Sequence, residues 1–311
     1  MVETRPAVAA MAIVISMAII GYIDNFVVII AEDASVWQFH LVRSLMCLPF
    51  FLLAALAGFG PLRPRRLWAV AGRSFFMTSA MVLYFAALAF MPIAQVVAGL
   101  FTSPIFVVLI STLVLGHRIG PIRIGAVLVG FVGILLVLRP DPSDLSLWTA
   151  MPVLAGLFYA MGAISTRSWC AGESTLSMVA GAFFGLGIAG AIGLVALSLV
   201  PHAVPEGPAG FVLREWTSPS APFLFWTAVQ AVGSIVAVWL IVKAYSLGEA
   251  SYVGVFEYSL IVFASAWAYV LRGQSVDPVA AVGIALVVVS GTVIAARSRL
   301  PETSGPASVG P

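Results

Sequence analysis

The chain has 311 residues, 61% of them hydrophobic and only 9% charged, with a net charge of +2 at pH 7. This composition excludes an ordinary soluble domain and a disordered chain, and the near-neutral balance argues against a nucleic-acid partner. The two cysteines, Cys47 and Cys170, fall in or at the end of separate predicted helices, make neither a metal motif nor a disulfide framework, and are read as packing residues.

A helix of about 20 apolar residues crosses a hydrocarbon core about 30 Å thick. Such stretches occur at about residues 8–30, 36–58, 67–90, 92–115, 121–138, 146–166, 174–200, 221–246, 250–271 and 277–296. Turn residues and charges separate them, among them Glu32-Asp33, Gly60-Pro61, Pro92, Gly120-Pro121, Arg139-Pro140, Gly172-Glu173, Gly248-Glu249 and Asp277-Pro278. The first stretch is too long for the core of a signal peptide and is read as retained. The predicted fold class is an all-α polytopic membrane protein with ten transmembrane helices. The Pro-, Ser- and Gly-rich tail at 299–311 is predicted to be a disordered cytoplasmic extension.

Basic residues mark cytoplasmic loops. With the N-terminus inside, Arg5, Arg63, Arg65, Arg66, Arg73, Arg118, Arg123, Arg167, Arg297 and Arg299 lie on the cytoplasmic side. Only Arg139, Arg214 and Arg272 lie outside, while Arg43 and Lys243 fall within spans. Both termini are therefore predicted to be cytoplasmic.

The chain contains an internal match. Ala87, Gly116 and Pro121 correspond at constant spacing to Ala244, Gly273 and Pro278, and Gly125 and Gly133 correspond to Gly283 and Gly291 one residue further on. The expected repeats are 1–140 and 141–298, each with five spans. Because five is odd, the second repeat enters the membrane from the opposite side. Inverted repeats of this kind are used by secondary transporters that bind substrate near the midplane.

Charges inside the spans need a reason, since one at a helix centre costs about 2.5–3.5 kcal/mol on insertion and one Leu returns about 0.3–0.6 kcal/mol. Asp24 and Arg43 lie at matched depths in the hairpin of the first two spans and are expected to pair, either as a structural lock or as part of substrate handling or gating. Gly21 on the face of Asp24 would let a helix approach, and His40 shares the face of Arg43. Lys243 could snorkel to the inner surface, whereas Glu257 is expected to face the cavity. Gln95, Gly99 and Thr102 share one face of the fourth span, where Pro104 loosens the backbone. Tyr84, Gln230, Tyr252 and Tyr258 add hydrogen-bonding groups and rings. The candidate substrate-binding or gating residues are thus Asp24, His40, Arg43, Tyr84, Gln95, Thr102, Gln230, Lys243, Tyr252, Glu257 and Tyr258. The glycines Gly181, Gly185, Gly187, Gly190 and Gly193 of the seventh span permit close packing, within the chain or against a second copy.

Several segments carry a family resemblance. Tyr84 to Gln95 (YFAALAFMPIAQ), Leu100 to Phe106 (LFTSPIF), the Leu115-Gly116 turn and the Gly125/Gly133 helix resemble EamA-type members of the drug/metabolite transporter superfamily. Phe39 to Arg43 (FHLVR) resembles that family's arginine-bearing second helix, and Val255 to Tyr258 (VFEY) resembles a motif of one subgroup. The resemblance covers roughly residues 8–297. Where many relatives carry Glu after Leu-Gly, this chain has His117, with Gln274 at the corresponding place in the second half.

The resemblance implies two five-helix repeats around a central cavity in a bacterial inner membrane, and substrates such as amino acids or other metabolites, more often exported. Uptake of a vitamin such as riboflavin is the alternative. The expected partners are a small-molecule solute, the lipid bilayer and protons as a candidate coupling ion, with the chain a monomer or weak dimer. No Walker A loop, HExxH or GxSxG motif is present, so no ATP drive, catalytic role, cofactor or metal is expected. A non-transporting receptor or scaffold would explain apolar helices but not an inverted repeat with buried charge.

Overall fold

The structure is a computed structural model that describes residues 6–114, 116, 121–139, 147–200, 203–206, 210–247 and 256–297. The predicted tail and Tyr252 lie outside the described residues, as does the side chain of Lys243. The helices are α1 (Pro6–Asp24), α2 (Val27–Asp33), α3 (Val36–Leu56), α4 (Leu67–Phe90), α5 (Ile93–Leu100), α6 (Ser103–Leu113), α7 (Pro121–Leu138), α8 (Leu147–Ser168), α9 (Thr175–Leu199), α10 (Gly210–Leu213), α11 (Ala221–Leu247), α12 (Ser259–Arg272) and α13 (Pro278–Arg297). Among the described residues, five helical stretches are long and apolar enough to cross a membrane: Ala7–Asp33, Val36–Leu56, Leu67–Phe90, Thr175–Leu199 and Ala221–Ile241. Five shorter apolar ones, Ile93–Val107, Ile124–Val137, Ala150–Thr166, Ser259–Arg272 and Pro278–Ser290, fall in the other expected spans.

Among the described residues at least two spans are interrupted. The first breaks between α1 and α2 at Asn25 and Phe26, and the fourth breaks between α5 and α6 at Phe101 and Thr102. Pro104 sits in the first turn of α6, where its missing N–H costs nothing.

Helix pairing has a two-fold pattern. α4 packs on α8 as α1 packs on α11, α1 meets α12 as α5 and α6 meet α8, and α4 meets α9 as α3 meets α11. The pairs α3–α9 and α7–α13 map onto themselves when the two halves are exchanged. The matched residues behave alike. Ala87 and Ala244 are both fully buried, Gly116 and Gly273 both take left-handed backbone angles (φ 69° and 65°), and Pro121 and Pro278 each open a helix. Arg73 and Gln230 stand at the same spacing. Each reaches from the third span of its half to the first span of the other half, Arg73 to Thr166 at 2.7 Å and Gln230 to the Ile23 carbonyl at 2.9 Å.

Each half also clasps the other at a loop. Glu173, just before α9, accepts the backbone N–H groups of Arg65 and Arg66 at 2.8 and 2.7 Å. Asp33, just before α3, accepts the Thr217 hydroxyl on its carbonyl at 2.9 Å and the Ser220 hydroxyl on its carboxylate. Gln38 adds a two-way amide contact with the Thr217 backbone at 2.8 and 3.0 Å. The two clasps lie at opposite ends of the helices, and the ends are called here the Arg65 face and the Pro92 face.

The antiparallel pair α7–α13 depends on glycine. A Cβ on Gly133 would lie 2.7 Å from the Gly283 carbonyl oxygen, and one on Gly283 would lie 2.6 Å from that of Gly133. At one end Ser290 donates to the Ala126 carbonyl at 2.6 Å. At the other, Arg139 pairs with Asp277, which also caps α13 through the N–H groups of Val279 and Ala280. The Ala280 amide, then the Val279 amide and the charge of the nearby Arg139 guanidinium, hold the Asp277 carboxyl below its ordinary range. Gly133→Val is therefore expected to overpack this seam and cost about 1–3 kcal/mol, read as a lower unfolding midpoint. Gly125→Ala, where a Cβ meets nothing within 4 Å, should be silent.

The glycine stripe of α9 packs within the chain. Gly181 and Gly185 face Ser74 and Thr78 of α4, Gly187 faces Ser44, and Gly190 and Gly193 face Trp37. Cys47 is buried against Phe51 and Phe183, and Cys170 against Ala69 and Val70, in two small apolar clusters.

Candidate substrate site

The break in the first span places its charge. Asn25 donates from its side-chain amide to the Gly21 carbonyl at 2.6 Å and the Ala264 carbonyl at 3.3 Å. The backbone there tightens to Asn25 N–H on Tyr22 and Phe26 N–H on Ile23, both at 3.2 Å. A Cβ on Gly21 would lie 2.8 Å from the Ala264 nitrogen, so α1 and α12 cross almost backbone to backbone. The helix that Gly21 admits is thus α12. Asp24 is left at the carbonyl end of α1, where the helix dipole disfavours a carboxylate.

That cost is offset by specific donors. Asp24 is 3% exposed and accepts the Tyr84 hydroxyl at 2.7 Å and the Gln230 amide at 3.2 Å. The matched depths of Asp24 and Arg43 suggest a direct ion pair, and it is not formed. The two interact electrostatically, but no salt bridge within 4.0 Å joins them among the described residues. Arg43 instead donates to His40 Nδ1 at 3.3 Å and lies over the rings of Phe85, Phe39 and Phe183, at 4.6, 4.8 and 5.5 Å from their centroids. Ring faces can hold a desolvated guanidinium without a carboxylate in contact. Around this centre the buried atoms His40 Nε2, Arg43 Nε, Thr227 Oγ1 and Gln230 Oε1 make no hydrogen bond among the described residues.

A cavity of about 270 Å³ enters from the Pro92 face and is lined by Asp24, Val28, Leu88 to Ile93, Arg272 and Gln274. A neighbouring cleft of about 100 Å³ shares Pro92, Ile93 and Gln274 with it and adds Gln95, Ser265 and Asp277. Arg272 bridges the rim to the break in α1, donating to the Asn25 carbonyl at 3.1 Å and to its side-chain oxygen at 2.8 Å.

The structure therefore brings together Asp24, His40, Arg43, Tyr84 and Gln230, and puts Gln95 in the adjoining cleft. It separates others. Thr102 donates to the Gly99 carbonyl at 2.7 Å, and both residues press on Gly156 and Pro152 of α8 rather than facing a cavity. Tyr258 is buried with Ile134 and Val287, its ring 5.1 Å from Phe101. Glu257 lies in electrostatic reach of Tyr159 on α8, apart from the Asp24 cluster. Sequence reasoning missed Asn25, Arg272, Gln274 and Thr227. An Asn beside an intramembrane Asp was a legible signal for Asn25, whereas Arg272 reads from sequence only as a loop charge.

The sequence pattern of the EamA-like transporter family matches residues 7–139. The chain is 30% identical over 213 residues to the pseudopaline exporter of Pseudomonas aeruginosa, covering 68% of each protein. It is 29% identical over 189 residues to the riboflavin transporter of Vibrio cholerae, covering 60% of this chain and little more than half, 57%, of that protein. It is 23% identical over 186 residues to the S-adenosylmethionine uptake transporter of Rickettsia prowazekii, covering 60% of this chain and 57% of that one. A solved crystal structure shares the fold with a TM-score of 0.61 at 16% identity, over 93% of this chain and 99% of the other. The sequence pattern, these relatives and the ten apolar stretches agree: the chain belongs to the EamA-like transporter family of the drug/metabolite transporter superfamily.

Proposed function

We propose that this chain is a secondary transporter that moves a small organic solute, an amino acid or related metabolite, out across a bacterial inner membrane by alternating access. The observation that carries this reading is the cavity on the Pro92 face that ends on a buried carboxylate at a broken helix. Interrupted spans at an inverted-repeat interface are where such transporters bind solute. The repeats 1–140 and 141–298 are the units that exchange access. The Pro92 face is periplasmic and the Arg65 face cytoplasmic, as the arginine bias requires. Asp24, Tyr84 and Gln230 offer acceptors and donors to a polar solute, Arg43 and His40 an anion-binding edge, and Gln95 a contact on the way in. Similarity to a pseudopaline exporter favours outward movement. Similarity to riboflavin transporters supports a second reading, uptake of a vitamin.

Flux in proteoliposomes, loaded or bathed with amino acids, nucleosides and flavins, tests both readings. Saturable efflux of an amino acid supports the first, saturable flavin entry supports the second, and no flux above empty vesicles for any solute sinks both. Glu257 is assigned to the path on the Arg65 face, with Tyr159 opposite it. Glu257→Gln is expected to fold normally and to change the solute affinity or the pH dependence of flux. Unchanged kinetics from acid to neutral pH would leave Glu257 a structural role only.

A further inference from the structure

The loop between α3 and α4 carries three exposed arginines, Arg63, Arg65 and Arg66. Its neighbouring acid is already engaged. Glu173, with its side chain 1% exposed, holds the backbone N–H groups of Arg65 and Arg66. The Arg66 guanidinium turns back into the protein, donating to the Ala171 carbonyl at 2.7 Å and lying 3.9 Å from Glu173. The loop backbone is thereby pinned, while the guanidiniums of Arg63 and Arg65 make no hydrogen bond or ion pair among the described residues. Immediately after the loop, in the first turn of α4, Leu67 is 71% and Trp68 62% exposed. Trp68 is braced by Trp169, with ring centroids 5.9 Å apart.

Two free guanidinium forks, an indole at the interface and an apolar shelf beneath form a sequence of chemistries from water into hydrocarbon. Guanidinium forks fit phosphate oxygens, and indoles settle at the headgroup level. A soluble anion would use only the upper part. A phosphatidylcholine would bring its own ammonium against the arginines. We propose that Arg63, Arg65 and Trp68 form a binding site for an anionic phospholipid, with its phosphate between the two guanidiniums and an acyl chain along Trp68 and Leu67.

The full chain, purified in a neutral detergent, is titrated with phosphatidylglycerol, phosphatidylcholine and glycerol 3-phosphate, and both the unfolding midpoint and lipid retention in native mass spectrometry are read. Phosphatidylglycerol should stabilise and be retained saturably, with the effect falling as salt rises, while the other two should do neither. Arg63→Gln/Arg65→Gln should weaken phosphatidylglycerol binding by about 30-fold, since each basic residue near an anionic surface is worth about 1 kcal/mol. Its midpoint without lipid should match that of the parent. Equal effects of the two lipids, an equal effect of glycerol 3-phosphate, or an unchanged effect in the double variant would overturn the proposal. If the double variant does not fold, the salt titration of the parent decides, and a salt-independent effect overturns it. The site lies outside the solute path, so failure of the transport reading leaves this result untouched.

Discussion

Asp24→Ala is expected to lower stability by about 2–6 kcal/mol, because it strands two buried donors at about 1–3 kcal/mol each. Among the described residues the Tyr84 hydroxyl has no other partner, and the Gln230 amide keeps only its bond to the Ile23 carbonyl. The substitution also removes the negative charge that faces Arg43. Asp24→Asn retains an oxygen for the Tyr84 hydroxyl and should stay nearer the parent in stability. Tyr84→Phe removes a single bond to a charged group and should cost about 1.5–3 kcal/mol. The order of unfolding midpoints, parent, then Asp24→Asn and Tyr84→Phe, then Asp24→Ala, is the measurement. An Asp24→Ala midpoint equal to that of the parent would mean that the carboxylate is not held by these donors.

The spans were legible because hydropathy and turn residues report membrane crossing directly. The internal match was legible because a left-handed turn and a helix-opening residue leave Gly and Pro at fixed places, as at Gly116 with Pro121 and Gly273 with Pro278. The site was legible only as a set of residues that should not be in an apolar span. Asp24, Arg43 and His40 stood out by their cost, and Gln230 and Tyr84 by polarity, and the structure gathers all five. Their partners were not legible. Depth along two helices constrains which charges could meet but says nothing of rotation about each axis. Tyr84 and Gln230 approach Asp24 from α4 and α11, helices distant in sequence, and three phenylalanine rings take the place of the carboxylate at Arg43. The same blindness to rotation affected Thr102. Its place on a polar-looking face suggested a cavity, whereas that face carries Gly99 and packs against Gly156 and Pro152.

Arg43 separates fold from function most sharply. The residue is 3% exposed, its guanidinium lies over the rings of Phe39, Phe85 and Phe183, and its hydrogen bond is to His40 Nδ1. Replacing a buried ion pair with well-packed apolar side chains is often neutral or stabilising, whereas removing one partner of a contacting pair is costly. Among the described residues Arg43 has no carboxylate in contact, so its removal strands none. Arg43→Met should therefore keep the fold, with the thioether filling the space among the rings and Asp24 still bonded to Tyr84 and Gln230. Arg43→Lys should be the worse substitution for stability. It keeps the charge but loses the flat face that stacks on Phe39 and Phe85, and its strongly hydrated ammonium tolerates burial poorly. For transport, both variants lose the planar donor edge at Arg43 Nε. An unreplaced charge-assisted hydrogen bond to solute is worth about 1.5–3 kcal/mol, or roughly a 10- to 150-fold rise in the half-saturating concentration. Thermal unfolding and flux measured on the same preparations distinguish the two roles. A stable Arg43→Met protein with weakened flux places Arg43 on the solute, whereas a stable variant with parental kinetics leaves Arg43 as packing among three rings and shifts solute recognition to Asp24, Tyr84 and Gln230.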